Sequence, residues 1–319
     1  IIHEVGHNFF PMIINSDERQ WTWMDEGLNT FVQYITEKDW DPNYPSRRGP
    51  AENIVPYMKG DKEGIRPIMT NSEQILQFGN NAYAKPATAL NILRETVMGP
   101  ELFDYAFKTY ATRWAFKHPS PADFFRSMED ASAVDLDWFW KGWFYTTDNV
   151  NMSVENVKWY RMASDEKGVE KKMSGSNKVI EGQASEEMMT FSESAESFTM
   201  TNSSAFQFGE YKNRIDDNAV RGSLQDKNFY ELTLKNKGGL VMPVIIEWTY
   251  EDGTKEVERI PAEIWRQNEQ EITRVFVKDK RVTNIVLDPN KETADTDVSD
   301  NIFPRKKVDS KFDQFKKSK

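Results

Sequence analysis

Cysteine is absent from the 319-residue chain, which excludes disulfides, thiolate-bound metal and thiol catalysis. Cytosolic and exported proteins can both lack cysteine, so the compartment stays open. No stretch approaches the roughly 18 consecutive apolar residues that a membrane-spanning helix needs, and the mean hydropathy is −0.71. The sequence therefore reads as soluble, with no transmembrane segment. Positive charge is in deficit, with 41 Lys and Arg against 51 Asp and Glu for a net charge of −10. A chain so balanced lacks the basic surface that general nucleic-acid binding requires. An initiator Met and a signal peptide are also missing. The chain opens Ile1-Ile2-His3, in what reads as the middle of an apolar helix, so it is taken as a fragment whose targeting signal is not visible.

What is present is ample apolar material, with 20 Phe, 11 Tyr and 10 Trp. The length points to about two domains, and the patterning to a multidomain α plus β fold. Residues 1–148 read as a helical array. Gly99-Pro100 opens a run in which Phe103, Ala106, Phe107, Tyr110 and Trp114 recur at helical spacing. Ser120-Pro121 reads as the cap and first turn of the next helix, and Asp135 opens another with Leu136, Phe139, Trp140 and Trp143 on one stripe. Residues 149–225 begin with a candidate strand at Asn151–Tyr160, then turn Ser-, Glu- and Lys-rich without period, as expected of a linker or peripheral insertion. Over 226–298, β-branched runs at Phe229–Leu234, Val241–Thr249, Glu271–Val277 and Val282–Leu287 predict a small antiparallel β-sandwich. Residues 299–319 form a basic tail, in which Arg305 to Lys319 holds seven Lys or Arg against two Asp. Such a charge run is ordinarily a solvated face.

The chemistry concentrates at the start. His3-Glu4-Val5-Gly6-His7 is an HExxH motif, and two of the chain's three histidines sit in it. On a helix, positions i and i+4 share one face, so both imidazoles can reach a single metal ion with Glu4 beside them. The helix should end near Phe10, because Pro11 disfavours helical geometry in the residue before it. Two histidines do not complete a site, since catalytic zinc takes three protein ligands and leaves the fourth position to water. Downstream, Glu26 stands in the first turn of a helix whose apolar stripe is Met24, Leu28, Phe31 and Ile35. By itself such a glutamate is often only a partner for the helix dipole.

The sequence HExxH, eighteen residues, then Glu26 within Trp23-Met24-Asp25-Glu26-Gly27 resembles the gluzincin aminopeptidases related to aminopeptidase N. Asn8-Phe9-Phe10 also stands where that family has a polar residue and two aromatics. Pro11 replaces a common Gly and Asp25 a common Asn. The resemblance implies Glu26 as third zinc ligand beside His3 and His7, Glu4 as general base, and peptide substrates with a free N-terminus. Tyr83-Ala84-Lys85-Pro86 resembles the family's Tyr-x-Lys-Gly, which implies Tyr83 as the phenol that stabilises the oxyanion. Lys85 is held as structural, His118 as a surface residue, and Asn8 or Asp25 as candidates to orient the imidazoles.

The resemblance also implies that residues 1–148 are the helical half of a thermolysin-like catalytic domain. The family's Gly-x-Met-Glu-Asn stretch, which binds the substrate's amino terminus, would then fall before Ile1, and residues 1–319 alone are expected to be inactive. Two alternatives stay open from the residues themselves. One is a zinc endopeptidase or other hydrolase on the same site, the other a non-catalytic binding module. Side-chain specificity and oligomeric state are not legible.

Overall fold

The computed structural model describes residues 1–162, 186–190, 199–202 and 227–304. The remainder of the stretch read as a linker, and the basic tail from 305 on, lie outside the described residues. The fold is mixed, with a helical part followed by antiparallel sheets. Its helices are α1 (Ile2–Gly6), α2 (Leu28–Trp40), α3 (Ala51–Met58), α4 (Lys85–Ile92), α5 (Pro100–Trp114), α6 (Pro121–Ser132) and α7 (Asp137–Tyr145). Among the described residues, no helix is long and apolar enough to cross a membrane.

Local chemistry explains the helix boundaries. Gly99 takes φ +84°, which a side chain would strain, and delivers Pro100 to the first turn of α5. At α6, the Ser120 hydroxyl accepts from Asp123 N–H while the Asp123 carboxylate accepts from Ser120 N–H, a reciprocal cap. α1 departs from expectation, because its regular turns end at Gly6 rather than near Phe10. Phe10 leaves helical geometry at φ −120°, ψ 106°, as the residue before a proline tends to do. The widened turns on either side bond five residues back, Met12 N–H to His7 O and Ile14 N–H to Phe9 O.

These helices bury their aromatic stripes on one another. Trp23, 1% exposed, packs its ring against Phe124, Phe125 and Phe144 at 4.8 to 5.9 Å between centroids. Phe31 on α2 meets Phe103 and Phe107 on α5. Every residue of α4 is buried, as expected of a helix at the centre of such an array. Truncating one of these rings to alanine would cost about 3–5 kcal/mol. The segments that carry the site therefore stand on a rigid base.

Among the described residues nine strands follow: β1 (Met152–Met162), β2 (Glu186–Thr190), β3 (Thr199–Asn202), β4 (Asn228–Asn236), β5 (Val244–Tyr250), β6 (Lys255–Ile260), β7 (Glu271–Lys278), β8 (Val282–Leu287) and β9 (Ile302–Phe303). One sheet has the order β3-β2-β1-β4-β7 and the other β6-β5-β8-β9, all pairs antiparallel. β1 lies within the stretch assigned above to a linker, yet it is the middle strand of its sheet. Its Val157 and Trp159 face Leu232 and Tyr230 across the ladder. The two sheets meet through Trp248, which touches Tyr230 and Phe276 at 6.1 and 5.1 Å between ring centroids. β6 was not read from the sequence, because Lys-Glu-Val-Glu-Arg-Ile buries only its final Ile260, the pattern of a charged edge strand.

The sheet part packs directly against α7 of the helical part. A Cβ on Gly142 of α7 would lie 2.8 Å from Leu240 Cδ2. The Trp143 indole N–H points to Met242 Sδ at 3.4 Å. A single apolar cluster runs from Phe10 through Trp143 to Phe303.

Candidate metal centre

Three segments converge at the start of the chain. α1 presents His3 and His7, their ring centroids 4.6 Å apart and nearly perpendicular. The turn Trp23–Gly27 presents Asp25 and Glu26, and the turn Gly79–Ala84 presents Tyr83. Two glycines permit the approach. A Cβ on Gly6 would lie 2.0 Å from Asn29 Oδ1, and one on Gly27 would lie 2.6 Å from Pro86 Cγ. Asn29, itself buried, seals the first contact by donating from Nδ2 to His3 O at 2.7 Å.

The geometry suits a small cation. His3 Nε2 lies 3.0 Å and His7 Nε2 3.6 Å from Glu26 Oε2, and one ligand atom from each residue falls within 4.8 Å of the others. Tetrahedral zinc with bonds of about 2.0–2.1 Å separates its ligands by about 3.3 Å, so these edges need to move by only tenths of an ångström.

The outer nitrogens are already engaged. His3 Nδ1 lies 3.0 Å from Gln33 Oε1. The orientation of that amide is set from behind, because Gln33 Nε2 donates to Glu37 Oε1 at 2.7 Å and Ser46 Oγ donates to Glu37 Oε2 at 2.6 Å. With the carbonyl end of Gln33 turned to His3, Nδ1 carries the proton and Nε2 is left as the ligand atom. His7 Nδ1 lies 2.9 Å from both Phe10 O and Asp25 Oδ1. Asp25 Oδ1 is buried and makes no hydrogen bond of good geometry, because the Nδ1 proton is directed at the Phe10 carbonyl. The orphaned oxygen and the paired imidazoles fit a cation held by His3, His7 and Glu26.

The electrostatics point the same way. Burial opposes the charged form of His7, but the Phe10 carbonyl and the carboxylates of Asp25, Glu26 and Glu4 outweigh it and raise its pKa above the ordinary value. Burial, a hydrogen bond to Glu18 and repulsion from Glu26 push Asp25 up to about 7. Excess negative charge in a partly desolvated site is what a divalent cation relieves.

The remaining candidates take distinct positions. Glu4 is exposed on α1, near enough to act on His7. The Tyr83 ring stacks on His3 at 5.9 Å between centroids. Burial, then a hydrogen bond to Glu26, raises the pKa of its phenol, which keeps the O–H protonated at neutral pH. Asn8 donates to Val5 O of its own helix and does not reach an imidazole. Lys85 is buried beside Thr146 O, and His118 is exposed. Gln33, Glu37, Asn29 and Arg48 were not singled out from the sequence. Of these only Gln33 carried a readable signal, seven residues and two helical turns after Glu26 and hence on the same face.

Residues 1–143 match the peptidase family M1 domain. The chain is similar to the glutamyl aminopeptidase of Sus scrofa, 24% identical over 176 residues that make up 52% of this chain and 18% of that protein. It is also similar to probable aminopeptidase 1 of Sulfurisphaera tokodaii, 23% identical over 171 residues, 50% of this chain and 22% of that protein. The chain thus spans about a fifth of the length of these relatives. Among solved structures it resembles Legionella pneumophila aminopeptidase A in complex with aspartic acid, with a TM-score of 0.49 and 12% identity, covering 92% of this chain and 26% of that one. Over its helical part, residues 1–143, the chain is thus similar to peptidase family M1, the aminopeptidase N-like gluzincins.

Proposed function

We propose that the protein is a zinc-dependent aminopeptidase that hydrolyses the first peptide bond of substrates with a free N-terminus. In this reading residues 1–148 are the helical half of a thermolysin-like catalytic domain, and the two facing sheets form a β-sandwich behind it. The observation that carries the proposal is the convergence of His3 Nε2, His7 Nε2 and Glu26 Oε2 with both Nδ1 atoms held from outside.

When bound by these three residues, zinc supplies Lewis acidity that brings the ionisation of an attacking water into the neutral range. Glu4, exposed beside the ligands, accepts that water's proton and passes it to the departing amine. The Tyr83 phenol, kept protonated, donates to the oxygen on which negative charge develops. Gln33 and the Phe10 carbonyl hold the imidazoles in register, so the site spends no energy orienting them during the reaction. Asp25 steadies His7 from behind.

The test has two parts. Elemental analysis should find about one zinc per chain, lost in Glu26→Ala. The intact, zinc-loaded protein, rather than residues 1–319 alone, should cleave an aminoacyl anilide and leave its N-acetylated form untouched. Equal cleavage of the blocked substrate would make the protein an endopeptidase or a broader hydrolase, and unchanged zinc in Glu26→Ala would remove the ligand assignment.

A further inference from the structure

Among the described residues, Arg48 is a cation beside this site whose position the zinc chemistry does not explain. Its guanidinium lies 4.5 Å from the centroid of the Tyr83 ring. It is half-buried, and among the described residues it has no hydrogen bond and no carboxylate within ion-pair distance. Holding a guanidinium partly out of water without an anion is costly. Stacking on Tyr83 returns only about 0.5–1 kcal/mol at such a surface, too little to account for the way the arginine is held.

The loop around it is pinned on both sides. Asn53 Nδ2 donates to Ser46 O and Arg47 O, each at 3.2 Å, and Asn91 Nδ2 donates to Gly49 O at 3.1 Å. Gly49 has φ +111°, and a Cβ there would lie 2.4 Å from the Tyr34 ring. Arg47 and Arg48 are therefore presented from a fixed backbone. They border a cavity of about 570 Å³ that Gln33, Tyr34 and Tyr44 also line. The acid on its wall, Glu37, accepts one bond on each oxygen, from Gln33 and from Ser46. Among the described residues neither arginine has a carboxylate within ion-pair distance, Glu26 acts on Arg48 only through space, and the two cations stand against the single carboxylate of the wall. It adjoins the metal centre through Gln33, which holds His3, and through Arg48, which covers Tyr83.

We propose that this cavity is a carboxylate subsite for the substrate peptide, with Arg48 gripping the carboxylate and Arg47 standing at the cavity's exposed edge. The proposal rests on the aminopeptidase reading. An acidic first side chain and the C-terminus of a short peptide both offer this chemistry, and two substrate pairs separate them. A glutamyl anilide against a glutaminyl anilide isolates the side chain. Alanyl-alanine against alanyl-alaninamide isolates the C-terminus.

With the intact, zinc-loaded protein, the carboxylate member of one pair should be favoured about 10-fold or more in kcat/KM. Arg48→Gln should collapse that ratio, and Arg48→Lys should restore part of it, because an ammonium cannot form the paired bonds of a guanidinium. If Arg48→Gln fails to fold, Arg48→Lys alone is read, and it should lower the ratio several-fold. Equal rates within both pairs, or a ratio that neither variant alters, would overturn the subsite. Turnover of none of the four substrates would instead sink the aminopeptidase reading. The subsite is then decided by calorimetric titration with glutarate: binding that Arg48→Gln abolishes supports it, and no binding to the wild type overturns it.

Discussion

Gly27→Ala adds one methyl group to the turn between Glu26 and α2, and the structure gives it nowhere to go. The new Cβ would stand 2.6 and 2.8 Å from Pro86 Cγ and Cβ and 3.0 Å from the Ala82 carbonyl oxygen. Carbon atoms in contact sit about 3.5–4.0 Å apart, so the two segments must part by about 1 Å. Neither a proline ring nor a backbone carbonyl can swing aside. Overpacking of this kind costs about 1–3 kcal/mol, and the better helix propensity of alanine returns at most about 1 kcal/mol. The net loss in stability should be small, a few degrees in Tm. The effect on function should be larger, because the displaced segments carry Glu26, one residue before the substitution, and Tyr83, between the two residues struck. A shift of about 1 Å at reacting groups can cost about 100-fold in rate. Calorimetry, zinc analysis and kcat/KM on an aminoacyl anilide measure these separately. Gly64→Ala is the control, since its Cβ would meet only Gln77 Nε2 at 3.4 Å. If Gly27→Ala matched the wild type in zinc content and kcat/KM, the claim that bare backbone contact sets the site's geometry would be wrong.

Three further outcomes are expected. Glu4→Gln keeps the side chain's volume but cannot accept a proton, so zinc content should stay at the wild-type level while kcat falls by about 100-fold or more; near-native turnover would remove Glu4 as the base. Tyr83→Phe deletes a donor to charge present mainly in the transition state, so kcat should drop about 100- to 1000-fold with KM little changed. A raised KM at normal kcat would make Tyr83 a ground-state contact instead. Lys85 is buried, and burial, with Lys62 adding to it, lowers its pKa to about 8. The unfolded chain then binds the extra proton between about pH 8 and 10.5, so stability should rise with pH across that window by about 3 kcal/mol. Urea unfolding should show this rise in the wild type and a flat profile in Lys85→Met, and a flat wild-type profile would refute it.

The sequence displayed what depends on local spacing. His3 and His7 share a helix face because four residues separate them, and Ser120, Pro121 and Asp123 name a helix start through bonds made within one turn. The approach of Glu26 to those histidines is a tertiary event, made possible by Gly6 against Asn29 and Gly27 against Pro86, and neither contact has a sequence period. Gln33 lies on the right face of α2, but nothing local says that its amide is turned by Glu37. Arg48 sits in a loop whose course depends on Asn53 and Asn91 from other helices. β1 escaped its full weight for a similar reason: its partners Tyr230 and Leu232 lie more than seventy residues on, beyond the stretch where the period fails. The break at Phe10 follows from Pro11, while the bonds five residues back that replace regular turns after Gly6 have no sequence mark.

The seam where Gly142 meets Leu240 and Trp143 meets Met242 has a consequence for how the protein can fail. Helices and sheets share one apolar cluster there, so loosening either half withdraws support from the other, and the two should open together rather than in turn. A cavity made in the sheets, by Leu240→Ala for example, would leave every ligand in place and still lower the fraction of molecules that hold them. In a cell such a change would register as lost abundance, through chaperones and proteases acting on the opened form, while each surviving molecule worked at its normal rate.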